Sequence, residues 1–190
     1  MKDVPIPELI LSEVRLDDFL FGAVTDRLRY ADGQEIECDV LKHPGVVVIV
    51  PIDDQGRWLL IRQYRHGAGR VMLELPAGTA EEGELPLVTA HREIREETGF
   101  AAGSLVRIGG VWAAPSFLGE YVDYFVATEL RADPLPQDDD ENLSEPIAMT
   151  PAEVLAAIDD GTIEDAKTIV ATMLWQRHEA AAAARGPSGT

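Results

Sequence analysis

The 190-residue sequence predicts an α/β domain preceded by a small antiparallel β element. Three observations predict it. Val46-Val47-Val48-Ile49-Val50-Pro51-Ile52 and Trp58-Leu59-Leu60-Ile61-Arg62-Gln63-Tyr64-Arg65 are apolar strand patterns separated by the turn residues Asp53-Asp54-Gln55-Gly56. A helix over about residues 85–98 follows, with Pro86 in its first turn and Gly99 as its stop. A second long helical pattern, 163–184, lines up Ile163, Ala166, Ile169, Val170, Met173 and Leu174 as a core-facing stripe.

Taken in order, the chain opens with strand patterns at Glu13–Leu16, Phe19–Tyr30 and Glu35–Leu41, the last two joined by the hairpin signal Asp32-Gly33. So short a sheet cannot bury its apolar face alone. It packs either on the main domain or on a second subunit, and the second is favoured. His43-Pro44-Gly45 then breaks the chain before the paired strands described above. Leu105–Trp112 and Tyr121–Ala127 read as two further strands, joined through 114–120. Thr150-Pro151-Ala152-Glu153 is a capping pattern that starts a helix running to about Asp159. From Ala180 to Thr190 an alanine run and Gly-Pro-Ser-Gly-Thr are expected to fray. These readings divide the chain into 1–41, 42–178 and a tail, 179–190.

Bulk properties exclude several classes. A formal net charge of −18 opposes a nucleic-acid backbone as partner, because that binding needs clustered Lys and Arg. The single Cys38 rules out an internal disulfide and a cysteine-rich zinc site, as suits a reducing cytoplasm. No stretch nears the ~18 apolar residues of a membrane span, and the first residues do not lead into a signal-type apolar run.

The helix at 85–98 carries the chemistry. Leu87, Ala90 and Ile94 share one face, whereas Glu93 and Glu97 stand one turn apart on another, with Glu96 beside them. Like charges at that spacing repel. A hard divalent cation reverses the sign, and a few carboxylates completed by waters and substrate phosphates are how Mg²⁺ is usually held, with Mn²⁺ a possible substitute.

Gly78, Glu84, Arg92, Glu93, Ile94, Glu96, Glu97, Gly99 and Phe100 fill all nine positions of a signature in which Gly, five residues, Glu, seven residues and Arg-Glu precede an aliphatic, any residue, Glu-Glu, any residue, Gly and an apolar residue. The stretch resembles the Nudix box. Its flanks, His43-Pro44-Gly45, Arg62-Gln63-Tyr64-Arg65, Glu74-Leu75-Pro76-Ala77-Gly78 and Ile163-Glu164-Asp165-Ala166-Lys167-Thr168, are similar to those of ADP-ribose pyrophosphatases and related sugar-nucleotide enzymes.

That resemblance implies an α/β/α sandwich around a mixed β-sheet, and Mg²⁺-dependent attack of water on the diphosphate of a nucleotide sugar, with ADP-ribose the leading candidate. UDP-glucose, GDP-mannose and NADH are alternatives, as is a non-catalytic domain that senses a nucleotide. It implies a homodimer built through the amino-terminal sheet. Glu93, Glu97 and Glu96 become the metal ligands, the backbone at Ala77 an additional one, and Arg92 an orienting partner for Glu84 or a neighbouring carboxylate. Arg62 and Arg65 are candidates for phosphate or ribose contact, or for surface salt bridges. Glu74 is a candidate for substrate or metal contact. Trp112 and Phe117 either stack an adenine or pack in the core. The general base is expected from the acidic segment 138–141, at Glu141 or then Asp140, where a solvated loop is the alternative.

Overall fold

Alternation and turn chemistry set the first strands of the computed structural model, which describes residues 4–17, 22–137 and 143–185. β1 (Glu8–Asp17), β2 (Gly22–Arg29) and β3 (Glu35–Lys42) form an antiparallel sheet in that order. Gly33, at φ 86°, makes the β2–β3 turn, and the Tyr30 N–H donates to Gln34 O at 2.9 Å across it. One face is a ladder of opposite charges: Arg27 faces Glu37 and Arg29 faces Glu35, with N–O distances of 3.1 and 2.9 Å. On β1, Leu9, Leu11, Val14 and Leu16 are exposed.

β4 (Val46–Pro51), β5 (Trp58–Arg65), β6 (Arg70–Glu74) and β7 (Ala77–Thr79) lead into α1 (Pro86–Thr98). β8 (Phe100–Trp112), β9 (Tyr121–Ala132), β10 (Ile147–Met149), α2 (Pro151–Asp159) and α3 (Ala166–Arg185) complete the chain. The chain forms two compact units, Met1–Gly45 with Val111–Val122, and Val46–Gly110 with Asp123–Thr190. In the first, the 117–119 segment pairs with β3: the Leu41 N–H donates to Phe117 O and the Gly119 N–H to Leu41 O, both at 2.8 Å.

In the second unit, β7-β4-β9-β8 form one sheet and β10-β5-β6 another. β4 is buried from Val47 to Pro51, which explains its unbroken apolar run. Val47 and Ile49 pack with Ala90 and Ile94 of α1, Ala102 of β8, and Phe125 and Ala127 of β9. Val48 and Val50 point the other way on the pleat, and α3 also packs on β4. Trp58 and Trp175 of α3 meet edge to face, centroids 5.0 Å apart.

The structure differs from the sequence reading in several places: β1 begins at Glu8 and β8 at Phe100, β9 runs on to Ala132, and Leu87, Ala166 and Met173 are exposed instead of facing the core. α3 begins at Ala166, not at 163, because the Asp165 carboxylate accepts the Thr168 N–H at 2.8 Å and so caps the helix there. The alanine run is helical through Arg185 instead of frayed, as the high helix propensity of alanine favours. β6, β7 and β10 are additional short strands of five, three and three residues. Among the described residues, no helix is long and apolar enough to cross a membrane.

α2 starts from a reciprocal cap. The Glu153 N–H donates to Thr150 Oγ1 at 3.2 Å, and the Thr150 N–H to Glu153 Oε2 at 2.7 Å. Thr150→Ala should cost about 1 kcal/mol, read as a lower urea midpoint with an unchanged slope.

Candidate metal centre

The chain turns at Leu75-Pro76, and β7 then pairs antiparallel with β4, Gly78 opposite Val47 and Ala77 opposite Val48. α1 packs on both strands. Pro86 tolerates the open N-terminal turn, and Gly99 closes the helix at φ 76°, its N–H on Arg95 O at 3.1 Å. Glu93 and Glu97 are therefore carried on the inner side of α1, at only 5% and 1% exposure.

Gly78 is required by close approach. A Cβ there would stand 1.8 Å from Glu93 Cδ, so the Glu93 carboxylate occupies the space that a side chain would fill. Glu97 is held by the loop as well, its Oε2 accepting the Ala77 N–H at 2.8 Å.

Arg92 gathers the remaining carboxylates. Its Nη1 donates to Glu93 Oε1 at 2.7 Å and to Glu96 Oε2 at 2.8 Å, and its Nη2 to Glu84 Oε2 and Thr79 O, both at 3.0 Å. Burial disfavours the Arg92 charge, but hydrogen bonds to Glu84 and the charges of Glu93 and Glu96 outweigh it and hold its pKa above the ordinary value. Burial likewise opposes ionisation of Glu84. The Arg92 guanidinium, the Glu81 N–H and the Thr89 hydroxyl overcome this and keep its carboxyl below the usual range.

Beside this cluster, Arg65 and Glu74 bind each other. Arg65 Nη2 donates to Glu74 Oε2 at 2.7 Å, and Nε lies 3.0 and 3.1 Å from the two oxygens. Glu74 is 1% exposed. Desolvation lowers the Arg65 pKa, yet Glu74, then Glu97 and Asp165, raise it further than burial depresses it.

Comparison with known proteins places this loop and helix in a family. The NUDIX domain model matches residues 41–171. The chain belongs to the Nudix family. An ADP-ribose pyrophosphatase of Bacillus subtilis (strain 168) is 33% identical over 150 residues, covering 78% of this chain and 81% of that protein. The methanol dehydrogenase activator of Bacillus methanolicus is 31% identical over 156 residues, 82% of this chain and 84% of its own. A crystal structure of an ADP compounds hydrolase superimposes with a TM-score of 0.81 at 25% identity, covering 93% of this chain and 96% of that one.

Nudix hydrolases generally use divalent metal ions, and the residues here fit one. Glu93, Glu96 and Glu97 offer hard carboxylate oxygens along one side of α1, and the empty Cβ position of Gly78 admits the Glu93 carboxylate against the loop. Among the described residues no three acidic, His or Cys side chains already converge as a cage. The donor set suits a hard divalent cation.

The other predicted Nudix residues fall in several places. Arg62 is exposed, its backbone bonded to Ser144 in both directions at 2.9 and 3.0 Å, and its guanidinium has no ion-pair partner among the described residues. Trp112 and Phe117 belong to the first compact unit and are 57% and 52% exposed, which excludes core packing. Trp112 lies edge to face with Tyr121 at 5.1 Å. Asp140 and Glu141 lie outside the described residues. Sequence reasoning gives Asp165 and Thr168 no role beyond the family resemblance. The signal is there in the spacing, an Asp followed three residues later by a helical N–H and hydroxyl.

Gly78→Ala should displace the Glu93 carboxylate, the flexible end of the clash, and leave the fold intact. The expected result is an unchanged circular dichroism spectrum with Mn²⁺ affinity lowered by more than about tenfold in an electron paramagnetic resonance titration.

Proposed function

We propose that the protein is a Mg²⁺-dependent pyrophosphatase of nucleoside diphosphate sugars that splits ADP-ribose into AMP and ribose 5-phosphate, with Mn²⁺ able to replace Mg²⁺. The observation that carries this reading is the pair of buried carboxylates, Glu93 and Glu97, held against the Ala77–Gly78 strand. The names of the similar proteins, an ADP-ribose pyrophosphatase and an ADP compounds hydrolase, support the substrate class.

When bound, a divalent cation neutralises the diphosphate and lowers the pKa of water. Glu93, Glu97 and Glu96 would hold it, and the backbone of Ala77 would add a ligand. Arg92 keeps Glu93 and Glu96 aimed by charge-assisted hydrogen bonds. Water adds to one phosphorus, the bridging P–O bond breaks, and the bridging oxygen leaves with the other phosphate. Glu141, with Asp140 as the next candidate, takes the proton from the attacking water. Arg62, exposed and without an ion-pair partner among the described residues, is suited to a phosphate, whereas Arg65 reaches substrate only by the edge that Glu74 leaves open. Trp112 and Phe117, being exposed, are available to stack an adenine.

The exposed apolar residues of β1 support a homodimer formed through 1–41. Residues 42–178 are then the hydrolase domain, and the single cysteine favours a cytoplasmic location. The relative named an activator favours a second reading, a nucleotide-sensing domain that regulates a partner.

Purified protein in Mg²⁺ should hydrolyse ADP-ribose faster than NADH, GDP-mannose or UDP-glucose, measured by product chromatography. Turnover of nucleoside triphosphates alone would overturn the substrate class, and melting shifts without hydrolysis would select the sensor. Glu97→Gln should lower kcat by more than about 100-fold while the protein stays folded. Undiminished activity in that variant rules out the assigned metal centre.

A further inference from the structure

A second buried polar chain runs from α3 to the same loop. The Leu75 N–H donates to Thr168 Oγ1 at 2.9 Å, and that hydroxyl donates in turn to Asp165 Oδ2 at 2.8 Å. Asp165 is itself tied by the Thr168 N–H at 2.8 Å and by Lys167 Nζ at 3.0 Å. All three members, Leu75, Thr168 and Asp165, are buried.

A hydroxyl carries one proton, so giving it to Asp165 leaves the oxygen lone pairs directed at Leu75 and fixes the rotor. A threonine inside a helix ordinarily bonds a carbonyl one turn back, as Thr172 does with Thr168 O at 2.9 Å. Thr168 instead reaches across 93 positions of chain to a backbone amide. Two residues beyond that amide lies Ala77, whose N–H holds Glu97 Oε2. Pro76 stands between them with its φ restricted by the ring and its carbonyl accepting the Ile49 N–H at 2.9 Å. The link from Leu75 to Ala77 is therefore stiff.

We propose that Thr168, oriented by Asp165, is a positioning residue for the metal centre: it sets the strand exit at Leu75, and through Pro76 and Ala77 the direction of the Glu97 carboxylate. This rests on the metal reading above. Loss of the hydroxyl would leave the Leu75 amide without an acceptor in a dry site, and the strand exit would move to find one.

Mn²⁺ titration of the substrate-free protein, followed by electron paramagnetic resonance, tests it on Thr168→Val, Thr168→Cys and Thr168→Ser. Dissociation constants should rise from wild type and Ser, which are alike, through Cys to Val, with Val weaker by about tenfold, the lower end for residues that orient metal ligands. Thr172→Val, a buried hydroxyl lost one turn along the same helix, should leave Mn²⁺ affinity unchanged whatever it does to the melting temperature. Equal affinity across the Thr168 series, or an equal loss in Thr172→Val, overturns the positioning role. Should the Val protein not fold, the Cys and Ser pair decides the question by the same comparison. Wild-type protein that takes up no Mn²⁺ overturns the metal reading itself, and this inference with it.

Discussion

The acidic side of α1 depends on one guanidinium. Glu84, Glu93 and Glu96 all bind Arg92, whose planar fork also reaches Thr79 O. At an effective dielectric of about 20, two unit charges 4 Å apart interact by about 4 kcal/mol. That is large beside the whole stability of an ordinary domain, about 5–15 kcal/mol. Burying the carboxylates without Arg92 would set their mutual repulsion and desolvation against the fold. With it, the cluster is oriented but still net negative, because three carboxylates share one positive charge. A fourth, Glu97, lies one turn from Glu93. The residual charge is what makes the site receptive to a divalent cation and, through the cation, to a diphosphate.

The supporting structure serves the same end. β7 is only three residues long, yet it brings the Ala77 amide onto Glu97 and the bare Cα of Gly78 under Glu93. Its partner β4 is the buried strand against which α1 rests through Val47, Ile49, Ala90 and Ile94. The apolar face of α1 therefore fixes where its acidic face stands. Ala90 and Ile94 share the buried side of the helix with Glu93 and Glu97, so the close-packed core contact fixes the carboxylates beside it.

Much of this is legible in residue order. The Pro86 and Gly99 boundaries and the Thr150–Glu153 box rest on local chemistry, and each emerges where local rules put it, whereas strand ends, which pairing partners set, do not. The start of α3 escapes periodicity because Ile163 fits the apolar stripe, while the cap at Asp165 depends on where the chain bends before the helix. The alanine run reads as a fraying tail by its composition, although alanine continues a helix already nucleated upstream.

The sequence alone determined that Glu93 and Glu97 share a helix face and that Arg92 lies within reach of acidic neighbours, because a period of 3.6 residues leaves no other choice. It could not decide what Glu74 and Arg65 do, or that Thr168 serves Leu75. Those are contacts between segments far apart in the chain, and they follow from register and packing. A side chain of given chemistry binds substrate, metal or a neighbour according to what folding places beside it, and only the tertiary structure sets that choice.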